Sequence, residues 1–263
     1  MALRTIWNLL TLESLRRPRP EVAVLRLAGV IGGVGPLRGG MSIASLEPLI
    51  ERAFSVPRLK AVALVINSPG GSAAQSALIA QRIRDLAQEK EVPVLAFCED
   101  VAASGGYWLA CAADEIFVQP TSIVGSIGVI TQGFGFAGLM EKLGVERRVY
   151  TAGERKAILD PFRPEKPEDV ARIKALQEDL HEVFKQMVRD RRGQRLKAPE
   201  DKLFSGEFWA GAKSIELGLA DSEGDLRRVL RDRFGKRVRL RRIQGPKRLL
   251  RRLGFGRGGA AEG

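Results

Sequence analysis

Two short, unbroken apolar runs, AVALVI at 61–66 and VPVLAF at 92–97, each followed by a glycine turn, constrain the fold of this chain more than any other feature. A half-exposed strand would alternate apolar and polar residues. A run with no polar position suits a strand buried on both faces, as in a parallel sheet covered by helices. VAVLRLAGVI at 22–31 reads as a further strand, EIFV at 115–118 and IGVI at 127–130 as later ones. Between them, Ile43, Leu46, Leu49, Ile50 and Ala53 fall at helical spacing, and helices are predicted over about 72–88 and 104–113. This alternation implies right-handed βαβ units, whose ligands bind beyond the C-terminal ends of the strands. From Pro167 a long helix is predicted, with Val170, Ile173, Leu176, Leu180, Phe184 and Met187 on one stripe, ending near RRG at 191–193.

Both glycine turns, NSPGG at 67–71 and ASGG at 103–106, fall at such strand ends. In VAASGGYW (101–108), Ser104 stands between small residues with little to crowd its backbone. A serine so placed is either a helix cap or a nucleophile that a substrate must reach. As a nucleophile it needs a base within hydrogen-bond reach. The one histidine, His181, lies on the long helix and reads as a surface residue without a catalytic role. The remaining common base is a lysine, as in Ser-Lys variants of acyl-transfer sites. Such a lysine must lose about 3 pH units from its ordinary value of about 10.4. Burial away from carboxylates supplies that shift, so a semi-buried lysine with apolar neighbours is expected. Lys156, in TAGERKAILDPF, has Ala157, Ile158 and Leu159 after it. On the oxyanion side, Pro69 stiffens its turn while Gly70 and Gly71 allow close backbone approach, the arrangement that backbone N–H donors require.

Composition narrows the chemistry further. The two cysteines, Cys98 and Cys111, and the single histidine are too few for a zinc site or a disulfide framework, so no metal or cofactor is expected. The cysteines read as core thiols. Tyr107 and Trp108 read equally as pocket-lining or packing residues.

Charge is distributed unevenly. Of 43 Lys+Arg and 31 Asp+Glu, the stretch from Arg227 onward holds 14 Lys/Arg against two acids, which accounts for the whole formal charge of +12. The basicity is therefore assigned to a C-terminal extension, 227–263, beyond a domain at 21–226 and an N-terminal extension at 1–20.

NSPGG at 67–71, DVAASGGYWLACAADEIFVQPTSIVGSIGVI at 100–130, the TAGERK loop and GEFWAGAKSIELGLAD at 206–221 together resemble the signal peptide peptidase A family, peptidase family S49. The resemblance runs from about residue 22 to about residue 245. It implies an α/β, ClpP/crotonase-like parallel sheet of βαβ units with a long C-terminal helix and, here, a basic tail. It also implies a Ser-Lys dyad in which Ser104 is the nucleophile and Lys156 the general base. Ser126 in the VGSIG loop matches the position that orients the lysine, and Gly71 N–H, with Gly105 N–H as a second donor, matches the oxyanion hole. Ser126 is neutral, so it can hold an amine without favouring its protonation as a carboxylate would. The expected activity is cleavage of short, apolar peptides such as signal-peptide remnants through an acyl-enzyme. Family members of this half-length are similar to homo-oligomeric rings whose dyads are completed between neighbouring protomers.

Two departures stand out. The aromatic residue often found before the family's lysine is Arg155 here, and no segment approaches the roughly 20 apolar residues of a membrane span. The N-terminus also lacks a signal peptide's pattern, so a cytoplasmic location is expected. KRVRLRRI reads as an edge strand, and KRLLRRLGF mixes leucines with basic residues as a short interfacial helix would, which suggests peripheral contact with an anionic membrane. No motif indicates specific nucleic-acid binding. The rival readings are a crotonase-type acyl-CoA enzyme, which needs a carboxylate base, and a non-catalytic scaffold docking through its tail.

Overall fold

A computed structural model describes residues 19–33, 40–153 and 155–245. The chain opens with β1 (Glu21–Ala28), α1 (Ile43–Phe54), β2 (Leu59–Ser68), α2 (Ala73–Glu89) and β3 (Val94–Ala103). It continues with α3 (Gly105–Ala110), β4 (Glu115–Val118), β5 (Ile123–Gly125), α4 (Ala137–Leu143) and α5 (Pro167–Arg192). The last elements are α6 (Glu200–Leu203), β6 (Phe208–Ala210), α7 (Gly211–Glu216), β7 (Ser222–Glu223), α8 (Leu226–Phe234) and β8 (Arg239–Ile243). The main path of the sheet runs β6-β5-β3-β2-β1-β8, parallel except where β6 joins β5.

The unbroken apolar runs are explained by burial on two faces. Val62, Leu64 and Ile66 of β2 face one core with α1, α2, α3 and the end of α5, while Ala61, Ala63 and Val65 face a second. That second core contains Phe97 and Phe117, whose rings stack 5.0 Å apart, and is closed by Leu230 of α8. β3 forks the sheet, since Leu95–Phe97 pair with β4 and Val101–Ala103 pair with β5. At the fork the buried Ser122 hydroxyl lies 2.6 Å from Glu99 O and 3.1 Å from Cys98 O, and so satisfies carbonyls between the two branches.

Three expectations need correction. The strand placed at IGVI is instead Ile123–Gly125, because Ser126, at φ 53°, turns the chain out of the sheet. The basic segment from Arg227 is not a tail throughout: Leu226, Val229, Phe234, Val238 and Leu240 pack on the second core, and β8 pairs with β1. A boundary at 226 therefore cuts through packed structure. KRVRLRRI is indeed an edge strand, whereas KRLLRRLGF lies outside the described residues, as does the N-terminal extension through residue 18. Finally, only the end of the apolar stripe on α5 meets the core, with Phe184 buried and Met187 partly buried, while Leu176 and Leu180 are exposed.

Candidate active site

β3 delivers Ser104. Its last paired residue, Ala103, lies opposite Gly125 of β5, and Ser104 N donates to Gly125 O at 2.8 Å. At Ser104 the backbone turns to φ 52°, ψ −123°, a conformation that costs an L-residue on the order of 1–3 kcal/mol, and α3 begins at the next residue. The serine occupies the N-cap position yet its side chain makes no capping bond. The cap reading is thereby removed. What remains is a half-buried hydroxyl held in a strained turn, free of protein partners among the described residues.

The NSPGG turn closes against this corner. A methyl group on Gly70 (φ 100°) would lie 2.8 Å from Ser104 Cβ and 2.7 Å from Gly105 N, so the approach requires glycine. Fully buried Ser68 fixes the turn, since its hydroxyl donates to Gly29 O (2.7 Å) and accepts from Gly70 N (3.2 Å). The N–H groups of Gly71 and Gly105 find no acceptor among the described residues. Open backbone donors beside an unengaged hydroxyl are the components of an oxyanion site. Sequence reasoning missed Ser68, although a serine at a strand end before Pro-Gly-Gly is a legible signal.

Ser126 follows the same rung of the sheet. Ser104 and Ser126 are the first residues beyond the paired Ala103 and Gly125, and both have positive φ. Ser126 N donates to Glu207 O (2.7 Å) and its carbonyl accepts from Gly128 N (3.0 Å), while its hydroxyl has no partner among the described residues. His181 Nε2 lies 3.0 Å from Ile127 O and ties α5 to this loop. The two carboxylates nearest in sequence to Ser104 are engaged elsewhere: Asp100 accepts from Asn67 Nδ2 at 2.6 Å, and Glu99 pairs with Arg26 at 2.6 Å. Neither supports the acyl-CoA alternative.

Lys156 is placed differently. It is exposed, as is Arg155, its backbone N donates to Gly153 O (3.2 Å), and its amine has no partner among the described residues. No described contact joins it to Ser104. The semi-buried setting expected of a lysine base is absent from the isolated chain, because the loop lies in a peripheral arm, roughly 130–166, instead of the core. The arm has its own support. Phe136 stacks on Phe162 (5.5 Å) and Arg147 lies 4.6 Å over that ring. Asp160, with a side chain 5% exposed, pairs with Arg147 at 3.2 Å and Arg163 at 3.8 Å.

Behind the serine, packing is tight. Tyr107 is fully buried and donates to Leu219 O (2.8 Å), and Trp108 stacks on Phe184 (4.9 Å), so both are packing residues here. Burial pushes the Cys98 thiol up to about 12 and the Cys111 thiol up to about 11, as befits inert core thiols. Arg191 donates to Cys111 O (2.8 Å) and Ala113 O (3.0 Å), which fastens α5 to the end of α3. Buried Arg192 forms a bidentate pair with Asp221 (2.9 and 3.0 Å). Burial raises the Asp221 pKa, but the bond to Arg192, the Ile116 N–H and Arg195 outweigh it and hold the carboxyl below its ordinary value.

The fold and this corner define a protein of the α/β ClpP/crotonase-like class, with a strand-end serine between two glycine turns. The sequence matches peptidase family S49 over residues 86–235, and the chain belongs to that family. It is 36% identical over 220 residues to the chloroplastic serine protease SPPA of Arabidopsis thaliana, covering 81% of this chain and 32% of that protein. It is 52% identical over 239 residues to a Brucella abortus (strain 2308) protein named Na(+)/H(+) antiporter NhaA, covering 90% of this chain and 32% of that one. The chain thus spans about a third of each of these relatives. Among the described residues no helix is long and apolar enough to cross a membrane. A mutant of the membrane-bound stomatin-specific protease 1510-N, solved in complex with a substrate peptide, shares the fold, with a TM-score of 0.55 at 14% identity over 88% of this chain and 94% of that one.

Proposed function

We propose that this protein is a serine endopeptidase that cleaves short, apolar peptides through an acyl-enzyme on Ser104, with Lys156 as general base. One observation carries the reading: Ser104 is held in a strained turn, uncapped, beside the open N–H groups of Gly71 and Gly105. In the proposed reaction Ser104 Oγ attacks the scissile carbonyl while Lys156 Nζ takes its proton. The oxyanion accepts from Gly71 and Gly105, and the C–N bond breaks as Lys156 returns the proton to the leaving amine. Water, deprotonated by the same amine, then releases the acid and restores Ser104. Ser126 orients the lysine.

Because Lys156 is exposed in the single chain, the dyad is completed in a homo-oligomeric ring by a neighbouring copy. The arm that carries Lys156 also exposes Phe134 (80%), Leu143 (65%) and Tyr150 (91%), an apolar surface suited to a protein partner. Contact with that partner supplies the desolvation a neutral lysine needs.

The test is a panel of fluorogenic apolar peptides run on wild type, Ser104→Ala and Lys156→Ala, each sized by sedimentation. Both variants are expected to lose cleavage while assembling as wild type does. Cleavage by Lys156→Ala at the wild-type rate would remove the dyad.

A further inference from the structure

We infer that the face built by α8 and β8 is a docking surface for the anionic headgroups of a lipid leaflet. Between Arg227 and Gly245 the chain carries nine Lys/Arg against one acid, Asp232. This charge is folded into the domain. The apolar stripe of α8 (Leu226, Val229, Leu230, Phe234) is turned to the sheet, so Arg228 and Arg231 point away from it with Arg227 at their flank, and Asp232 shares that outer side.

Part of this charge is neutralised within the fold. Arg233 is taken up by Glu115 through two bonds of 2.7 Å. On β8, Arg239 and Arg241 converge with Arg58 on the single carboxylate of Glu21, so one buried acid serves three guanidinium groups. Arg227, Arg228, Arg231, Lys236 and Arg242 are exposed and have no acidic partner among the described residues. A helix and an edge strand with such an excess carry mutually repelling charges, which a polyanion would neutralise. The arginines also blunt β8 as an open sheet edge, which accounts for some of them on the strand. It does not account for those on the helix.

The chemistry favours a lipid surface over nucleic acid. The only aromatic residue from Leu226 to Ile243 is Phe234, half-buried on the core, so the face offers no platform on which bases could stack. The sequence that follows, PKRLLRRLGF at 246–255, lies outside the described residues and interleaves leucines with basic residues, the composition of an interfacial segment.

The inference does not depend on peptidase activity, and vesicle flotation of the full chain tests it. Vesicles of phosphatidylcholine alone are compared with vesicles holding about 30% phosphatidylglycerol, from about 50 to 300 mM salt. Wild type is expected to float only with the anionic vesicles and to dissociate as salt rises. Arg227→Gln/Arg228→Gln/Arg231→Gln is expected to weaken binding about a hundredfold, at roughly fivefold per basic side chain near an anionic surface. The matching triple Arg→Lys variant is expected to bind as wild type does. Substituting Lys247, Arg248, Arg251 and Arg252 by Gln is expected to leave measurable binding. Three results would overturn the inference: no flotation of wild type, unchanged flotation of the triple Gln variant, or a DNA duplex that binds more tightly than the vesicles and displaces them.

Discussion

The corner around Ser104 and the arm around Lys156 are built on opposite principles. In the corner, α3 is buried along its whole length, Ser68 pins one glycine turn, and Arg191 and Arg192 fasten α5 behind it. In the arm, α4 buries no residue, and Asp160 with its two arginines is the main local anchor. The core thus completes half of the proposed site before any partner arrives. The other half is presented on a surface whose apolar side chains face water, as the proposed completion of the dyad by a neighbouring copy requires.

The contrast breaks most severely at the two reacting groups. Ser104→Ala and Lys156→Ala are each expected to lower peptide cleavage on the order of a thousandfold or more. Their stabilities should not separate them: thermal melting of Lys156→Ala and of Ser104→Ala should each match wild type, because alanine keeps the Cβ and with it the backbone strain at position 104.

Next in size is the support of the corner. Arg192→Met removes the bidentate partner of half-buried Asp221, which keeps only the Ile116 N–H and Arg195, and is expected to cost about 2–3 kcal/mol in denaturant unfolding. In the arm, Leu143→Glu should change protomer unfolding by less than about 0.5 kcal/mol. It should nevertheless weaken assembly and make activity fall as protein is diluted, which sedimentation and dilution assays would read. Equal costs for the two substitutions would erase the distinction.

A smaller effect is pH-dependent. The Asp221 carboxyl is held below its ordinary value, so its contribution is complete above about pH 4 and is lost as pH falls through the folded-state value. Wild type should lose melting temperature more steeply below about pH 4 than Asp221→Asn does. Smallest of all, the native protein should show almost no thiol labelling at neutral pH, because Cys98 and Cys111 are both buried and both pushed well above it.

The corner was legible in the sequence because its physics is local. Unbroken apolar runs announce strands buried on both faces, and small residues at strand ends announce close backbone approach. The parallel βαβ architecture and the turns at 67–71 and 103–106 follow from these patterns, whereas the ClpP/crotonase-like class comes from the family resemblance. IGVI misled because its composition suits a strand, whereas a positive φ at Ser126 decides the geometry and leaves no mark in apolar periodicity. The folded portion of the basic segment was hidden for a related reason: charge dominates its composition, while a handful of residues such as Leu230 and Leu240 decide its packing. Asp160 and the Arg192–Asp221 pair depend on contacts between distant segments, which spacing along the chain does not record. The exposure of Lys156 was least legible, since its surroundings depend on what meets the arm.

The most direct measurement is covalent labelling of the assembled wild-type protein with a fluorophosphonate, followed by peptide mass spectrometry, beside Lys156→Ala and a mixture of Ser104→Ala with Lys156→Ala. The expected result is modification of Ser104 in wild type, its loss in Lys156→Ala alone, and its partial return in the mixture, where one copy supplies the serine and its neighbour the lysine. Equal labelling of Ser104 in wild type and in Lys156→Ala, or no labelling of Ser104 in any assembled form, would contradict it.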